Sequence, residues 1–375
     1  MQEKKSKVEQ AFFVLVRAGL WEKEVQLAPY REIDFAEVLR LSEEQSVVGL
    51  VAAGIEHIVD RKPQKKDVLQ FIGRTVQLEQ RNQAMNCFIR VIVEKLREAG
   101  IYTVLVKGQG VAQCYERPLW RSCGDVDFFL DDDNYAQAKE YLIPLASSVE
   151  KEYLREKHQG MTIDPWVVEL HGRLYSGLSG RIERELDDVQ RETFVDGNVR
   201  VWKDGGTDVP LLALENDVFY VFTHLLQHFY KGGIGMRQLC DWCRMLWTFR
   251  SELDVAKLKG RLRRAGLMSE WNAFAALAVN DLGMPPEAMP MYDDAAKWSR
   301  KAELIKTFVM SVGNFGHNRD HSYFEKYPYL IRKSVSFGRR VGDLVRHAQI
   351  FPIGSLRFFP SMLVNGVRSV VNGEE

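Results

Sequence analysis

The run IYTVLVKGQGVAQCYERPLWRSCGDVDFFL, from Ile101 to Leu130, decides the reading of this chain. It opens with an apolar β-type segment, Tyr102 to Val106, that stops at Lys107-Gly108. A short segment able to form a helix follows, then a turn around Arg117-Pro118, then Arg121 and Gly124. It ends with Asp125-Val126-Asp127 running into Phe128-Phe129-Leu130. Successive side chains on a strand point to opposite faces. Asp125 and Asp127 therefore share one face, and Val126, Phe128 and Leu130 share the other. Two adjacent carboxylates at the start of a buried strand repel each other and are costly to desolvate unless a cation lies between them. Hard oxygen ligands suit magnesium, which is commonly held by one or two carboxylates plus substrate phosphates.

Asp-x-Asp alone is a weak signal, and its neighbours strengthen it. Gly108 at a strand end lets backbone approach a phosphate. Lys107 and Arg121 supply positive charge, one as a point and the other as a planar fork. Further on, Val167-Val168-Glu169-Leu170-His171 is a second short β-type run. Alternation places Glu169 and His171 together on one face. A third carboxylate from an adjacent strand would complete a two-metal clamp for in-line attack at phosphorus. The plainer alternative is a surface turn with an acidic strand end and Glu169 paired to an arginine.

Lys107-Gly108, Arg121, the Gly-Asp-Val-Asp-Phe-Phe-Leu run and Val-Glu-Leu-His together resemble the DNA polymerase beta-type nucleotidyltransferase superfamily. More narrowly, they are similar to the bacterial family of uncharacterised nucleotidyltransferases. His158 ahead of the Glu169 strand, the helix-like Thr223-His-Leu-Leu-Gln-His228 and Leu239-Cys-Asp241 extend the likeness, which covers roughly residues 30 to 250. It implies an α+β fold, a small mixed-sheet nucleotidyltransferase core flanked by N-terminal and C-terminal helical domains. It also implies Mg2+, two ions, with Mn2+ as a substitute, held by Asp125, Asp127 and Glu169. Nucleotide binding would fall to Lys107, Gly108, Gln109, Arg121 and Gly124. The superfamily commonly has Ser after the glycine; here Gln109 is expected to donate to a phosphate oxygen instead.

Composition sets the frame. The 375 residues are enough for two or three domains. Apolar content of 46% with 27% charged residues is ordinary for a globular protein. The 51 basic and 51 acidic residues cancel, so no global field draws the chain to nucleic acid, and none is expected as a partner. Five scattered cysteines include Cys240-Asp-Trp-Cys243, with no second pair at zinc-ribbon spacing; on a helix they read as core. The first residues are charged rather than a signal sequence, and no run of about 18 apolar residues occurs. A reduced, cytoplasmic protein is expected.

Three regions follow. Residues 1–98 read as helical, with Val8, Phe12, Phe13, Val16 and Leu20 at helical spacing. Ser42 to Gln45 has the form of a capping box, and a long amphipathic helix from Asp67 stops at Gly100. Residues 99–206 alternate β and α signals. Asp131 to Asn134 reads as a helix cap, Gln159-Gly160 as a turn, 181–191 as a solvated helix or loop and Val195 to Val201 as a hairpin, with Gly205-Gly206 closing the domain. Residues 207–375 return to helix. There His224 and His228 lie one turn apart, followed by a glycine run, Arg237 and Asp241. The histidine pair lacks the glutamate and third ligand of a zinc helix. It is expected to wall the substrate cleft, with His158, His171, Arg237 and Asp241 as further cleft candidates.

Residues 332–375 carry Arg332, Lys333, Arg339, Arg340, Arg346, Arg357 and Arg368 against Asp343 and the terminal Glu374-Glu375, interleaved with Phe351, Phe358, Phe359, Met362 and Leu363. A membrane-surface or partner-docking helix competes with a packed tail. Functionally, the leading expectation is an enzyme moving a nucleoside monophosphate from a nucleoside triphosphate to a small-molecule or protein hydroxyl. Phosphoryl transfer at the same site, metal-dependent glycosyl transfer and a non-catalytic nucleotide-binding role are the alternatives.

Overall fold

Val126 and Phe128, with Leu130 just beyond the strand end, bury their side chains in a layer with Val168 and Leu170, and this apolar half of the alternation anchors the sheet. The computed structural model describes residues 2–30, 32–314 and 329–371. Its strands are β1 (Val104–Val106), β2 (Asp125–Phe129), β3 (Ser148–Val149), β4 (His158–Ile163), β5 (Trp166–His171), β6 (Val199–Asp204) and β7 (Thr207–Leu212). They form one seven-stranded mixed sheet, in the order β3-β4-β5-β2-β1-β7-β6. β2 runs parallel to β5 and β1 parallel to β7, and the remaining pairs are antiparallel. Helices flank this sheet at both ends of the chain, so the fold is α+β.

The N-terminal helices are α1 (Gln2–Trp21), α2 (Phe35–Glu44), α3 (Val48–Glu56) and the long α4 (Lys65–Glu98). The second half of α4 lays Met85, Ile89, Ile92, Val93 and Leu96 on one face of the sheet. There they meet Tyr135, Ala138 and Leu142 of α6 (Asp132–Leu142). Asp131 caps α6, its carboxylate accepting from Asn134 N at 2.8 Å, as its sequence context predicts. Between β1 and β2 lies the short α5 (Gly108–Ala112), and α7 (Gly180–Phe194) follows β5. α7 is amphipathic rather than simply solvated: Ile182, Leu186 and Val189 recur on one buried face. After the sheet come α8 (Leu214–Lys231) and α9 (Met236–Thr248), then helices Val255–Ala265, Met268–Leu282, Ala296–Val312, Tyr329–Ile350 and Pro352–Val371.

Several local expectations are corrected. Ser42 is no cap: it lies inside α2, where its hydroxyl donates to Val38 O at 2.8 Å and is consumed by its own helix. Gln159-Gly160 sits within β4, paired with Leu170 and Glu169, not in a turn. The hairpin is not at 195–201 but between β6 and β7, with Gly205 and Gly206 at φ of 56° and 94° as its two-residue turn. The glycine pair therefore turns the sheet instead of closing the domain, and β7 carries the sheet past 206 to Leu212. One continuous core joins Phe12 and Val51 to Val106, Phe129 and Leu212 of the sheet, and on to Phe222, Trp271, Phe308, Phe351 and Met362. Cys240 and Cys243 are buried in it as free thiols.

Candidate active site

The polar half of the same alternation builds the site. In the parallel pairing of β2 with β5, Asp127 stands beside Glu169 and Asp125 beside Val167. Asp125, Asp127 and Glu169 thus share the face turned away from α4, and a carboxylate oxygen of each lies within 4.8 Å of the others. Proximity has an electrostatic cost. Asp127 and then burial push the Asp125 carboxyl above its ordinary value, although Lys107 pulls it back.

Lys107 reaches this cluster because the chain leaves β1 with an unusual backbone. Its φ of 58° is left-handed, and such strain in a non-glycine residue collects at functional sites. Its Nζ lies 2.7 Å from Asp127 Oδ1 and 3.5 Å from His224 Nε2. Burial works against the ammonium, but Asp127 together with Tyr220, Glu169 and Asp125 outweighs it and keeps the lysine charged. His171 Nε2 is 2.8 Å from the same Asp127 oxygen, and His158 Nε2 is 3.2 Å from Glu169 Oε2. Burial pushes the Glu169 carboxyl up, yet hydrogen bonds from His158 and His171 more than offset this and hold it below the usual carboxylate range.

The facing wall is α8. Tyr220, His224 and His228 recur every four residues and so line one stripe. His224 and His228 place their Nε2 atoms 3.1 Å apart. Burial, then the Lys107 charge, pushes both imidazoles down, His228 to about 4, so both are neutral at physiological pH. α9 folds back beside α8 and contributes Arg237 and Asp241. The walls enclose a cleft of about 310 Å³ whose lining includes Lys107, all three carboxylates and the two α8 histidines.

Residues 31–280 match the family described as "Uncharacterised nucleotidyltransferase". The chain belongs to that family. No curated protein matches it. A solved structure, "an antigenic nucleotidyltransferase-like protein from Paracoccidioides brasiliensis", is similar to this chain at 15% identity and a TM-score of 0.30. The likeness spans 49% of this chain and 90% of that one.

Within this nucleotidyltransferase-family chain, the cleft gathers Lys107, Gly108, Arg121, Asp125, Asp127, His158, Glu169, His171, His224, His228, Arg237 and Asp241. Two nucleotide-binding expectations, Gln109 and Arg121, are corrected. Gln109 is buried on the far side, where its amide donates to Asn82 Oδ1 at 2.9 Å, so it meets α4 and no phosphate. Gly124 is exposed just before Asp125, and an added Cβ there would touch nothing within 4 Å. Arg121 reaches the cleft but spends its fork on Asp241, with Nε at 2.8 Å from Oδ1 and Nη2 at 2.7 Å from Oδ2. A guanidinium neutralised this way positions α9 and is not free for a triphosphate. Arg237 also lines the cleft. It donates Nη1 to Ser122 O at 2.9 Å, while its buried Nε has no hydrogen-bond partner.

Sequence reasoning missed Tyr220, which the four-residue spacing to His224 would have flagged. It also missed Asn82, whose amide donates to Leu119 O at 2.7 Å and Arg121 O at 2.8 Å and so pins the segment entering β2. No periodicity marks such a residue. In the C-terminal region Phe351, Phe358 and Met362 are buried in the core, while Ile353, Leu356, Phe359 and Leu363 keep exposed surface. The Lys333 and Arg368 side chains and Glu374-Glu375 lie outside the described residues. Among those described, no helix is long and apolar enough to cross a membrane.

Proposed function

We propose that this chain transfers a nucleoside monophosphate from a nucleoside triphosphate to a hydroxyl of a small molecule or protein, with release of pyrophosphate and dependence on magnesium. The observation that carries the reading is the convergence of Asp125, Asp127 and Glu169 within 4.8 Å at the floor of the cleft. An all-oxygen donor set suits magnesium, and manganese is compatible with it. When bound there, such ions supply Lewis-acid polarisation of the phosphoryl group and neutralise charge on the departing pyrophosphate. The upward push that Asp127 exerts on Asp125 supports the same fit, because the pair is short of positive charge.

The chain's own groups then divide the work. Lys107 and Arg237 would hold the triphosphate, in place of the Arg121 expected from the motif. The acceptor hydroxyl oxygen bonds to the α-phosphorus as the bond to the β-phosphate oxygen breaks, pyrophosphate leaves and the hydroxyl proton passes to solvent. Glu169, held below the usual carboxylate range, suits ligation better than proton removal. The neutral imidazoles of His224 and His228 offer hydrogen bonds to the acceptor or the base without adding charge beside Lys107.

Incubating the full chain with the four triphosphates, magnesium and candidate acceptors tests the reading. Pyrophosphate release and an acceptor heavier by one nucleoside monophosphate are expected. An acceptor heavier by one phosphate would move the assignment to phosphoryl transfer at the same site. Cleavage of a sugar nucleotide would favour glycosyl transfer. Nucleotide binding without turnover under every condition would favour a regulatory module.

A further inference from the structure

His158, Glu169 and His171 form a cluster that the carboxylate triad does not explain. The three residues occupy two neighbouring antiparallel strands, with His158 of β4 directly paired with His171 of β5. Glu169 lies two residues before His171 and therefore on the same face. Opposite Glu169 stands Gly160, and the space its missing Cβ leaves is taken by the Glu150 side chain. One ligand atom from each of the three lies within 4.8 Å of the others. Glu169 Oε2 is 3.2 Å from His158 Nε2 and 3.5 Å from His171 Nε2, and the two imidazole centroids are 4.9 Å apart.

Those separations suit a particular ion. Bonds of about 2.0–2.1 Å from a tetrahedral zinc to nitrogen and oxygen put neighbouring ligand atoms about 3.3–3.4 Å apart. Two imidazoles and one carboxylate are borderline ligands that favour a first-row transition ion, whereas magnesium takes oxygen and retains water. All three residues line the cleft, which leaves the remaining coordination position open to it.

We propose that His158, Glu169 and His171 form a separate binding site for a divalent transition-metal ion of the zinc type, adjoining the all-carboxylate site and sharing Glu169 with it. Without that ion the imidazoles act as hydrogen-bond partners of Asp127 and Glu169. With it, each Nε2 gives its lone pair to the metal, and any proton it carried passes to solvent. The site does not depend on nucleotidyl transfer: it requires only that these three side chains converge.

The test uses the full chain, stripped with a chelator and titrated with Zn2+ by calorimetry in excess Mg2+, and with Co2+ followed by its visible d–d absorption. One ion per chain is expected to bind, with a Co2+ spectrum of low coordination number and nitrogen ligation. Outer partners of a metal ligand commonly change affinity 10–100-fold, so His158→Ala and His171→Ala should each weaken Zn2+ binding by about a hundredfold or more. His158 is part-exposed on the sheet, and His158→Gln checks that any loss is not misfolding. Asp125→Asn should keep both the affinity and the Co2+ spectrum. Absence of stoichiometric Zn2+ binding, or binding that survives in the double histidine variant, would overturn the proposal. So would loss of Zn2+ in Asp125→Asn with retention in the histidine variants. Magnesium-dependent turnover in a chain that binds no Zn2+ would leave the functional reading intact and remove only this site.

Discussion

Asp125 shows most clearly what gathering three carboxylates on one face costs. Its carboxyl is pushed up by Asp127 and by burial, so the folded state resists its ionisation. Between the ordinary carboxylate value and the raised one, the folded chain holds a proton that the unfolded chain has lost. Stability therefore falls as pH rises through that window. Asp125→Asn removes the repulsion without changing shape. In chelated buffer at neutral pH the variant is expected to be more stable than the wild type, by about 0.5–2 kcal/mol, and inactive. Magnesium at a hundred times its Kd should add about 2.7 kcal/mol to the wild type and little to the variant. Urea unfolding with and without magnesium measures both. A variant less stable than the wild type under chelation would show that Asp125 is held by contacts rather than by repulsion.

At the scale of elements, α8 carries a pH signature. His228 is pushed down to about 4 and His224 well below its ordinary 6.5. Between those values and 6.5 the unfolded histidines take up protons that the folded ones refuse. Stability should be full above about 6.5 and decline on acidification towards pH 4, by at most about 1.4 kcal/mol per pH unit for each histidine. His228→Gln should flatten that slope; an unchanged slope would place the acid sensitivity elsewhere. The α1–α3 crossing makes a second prediction. Gly54 on α3 abuts the Leu15 carbonyl of α1, and Gly19 on α1 abuts the Leu50 carbonyl. A methyl at Gly54 must push two backbones apart, so Gly54→Ala should cost about 1–3 kcal/mol. Gly73, exposed inside α4 with nothing within 4 Å, should instead gain about 0.5–1 kcal/mol as alanine. Equal effects at the two positions would mean that the helices can slide to make room.

Across the whole molecule, one link between the segment entering β2 and the following helices is the buried pair Arg121–Asp241, which also receives the Tyr115 hydroxyl at 2.7 Å. Arg121 is only 6% exposed, so removing its partner strands a charge. Asp241→Ala should destabilise by about 3–5 kcal/mol, whereas replacing Arg121 and Asp241 together with apolar residues of similar volume should cost much less. Because one core runs from α1 to the last helix, loss of the pair should lower a single unfolding transition rather than split it in two. Two resolved transitions by calorimetry would show instead that the helical flanks unfold as separate domains.

The sequence by itself determined what is local. Period-two alternation separated Asp125 and Asp127 from Val126 and Phe128, and Glu169 and His171 from Val168 and Leu170; the structure keeps both separations. The Asp131 cap and the four-residue spacing of His224 and His228 were legible for the same reason, since each depends on backbone geometry within one or two turns. Tertiary packing decided which polar partners meet. Arg121 looks like a phosphate fork until Asp241, 120 residues later, occupies it; Gln109 looks like a phosphate donor until Asn82 takes its amide. Gly205-Gly206 reads as an end until β7 pairs with β1 beyond it. A side chain's type and its neighbours in sequence fix which face it occupies, but whether its charge is spent or available depends on long-range contacts that no local period encodes.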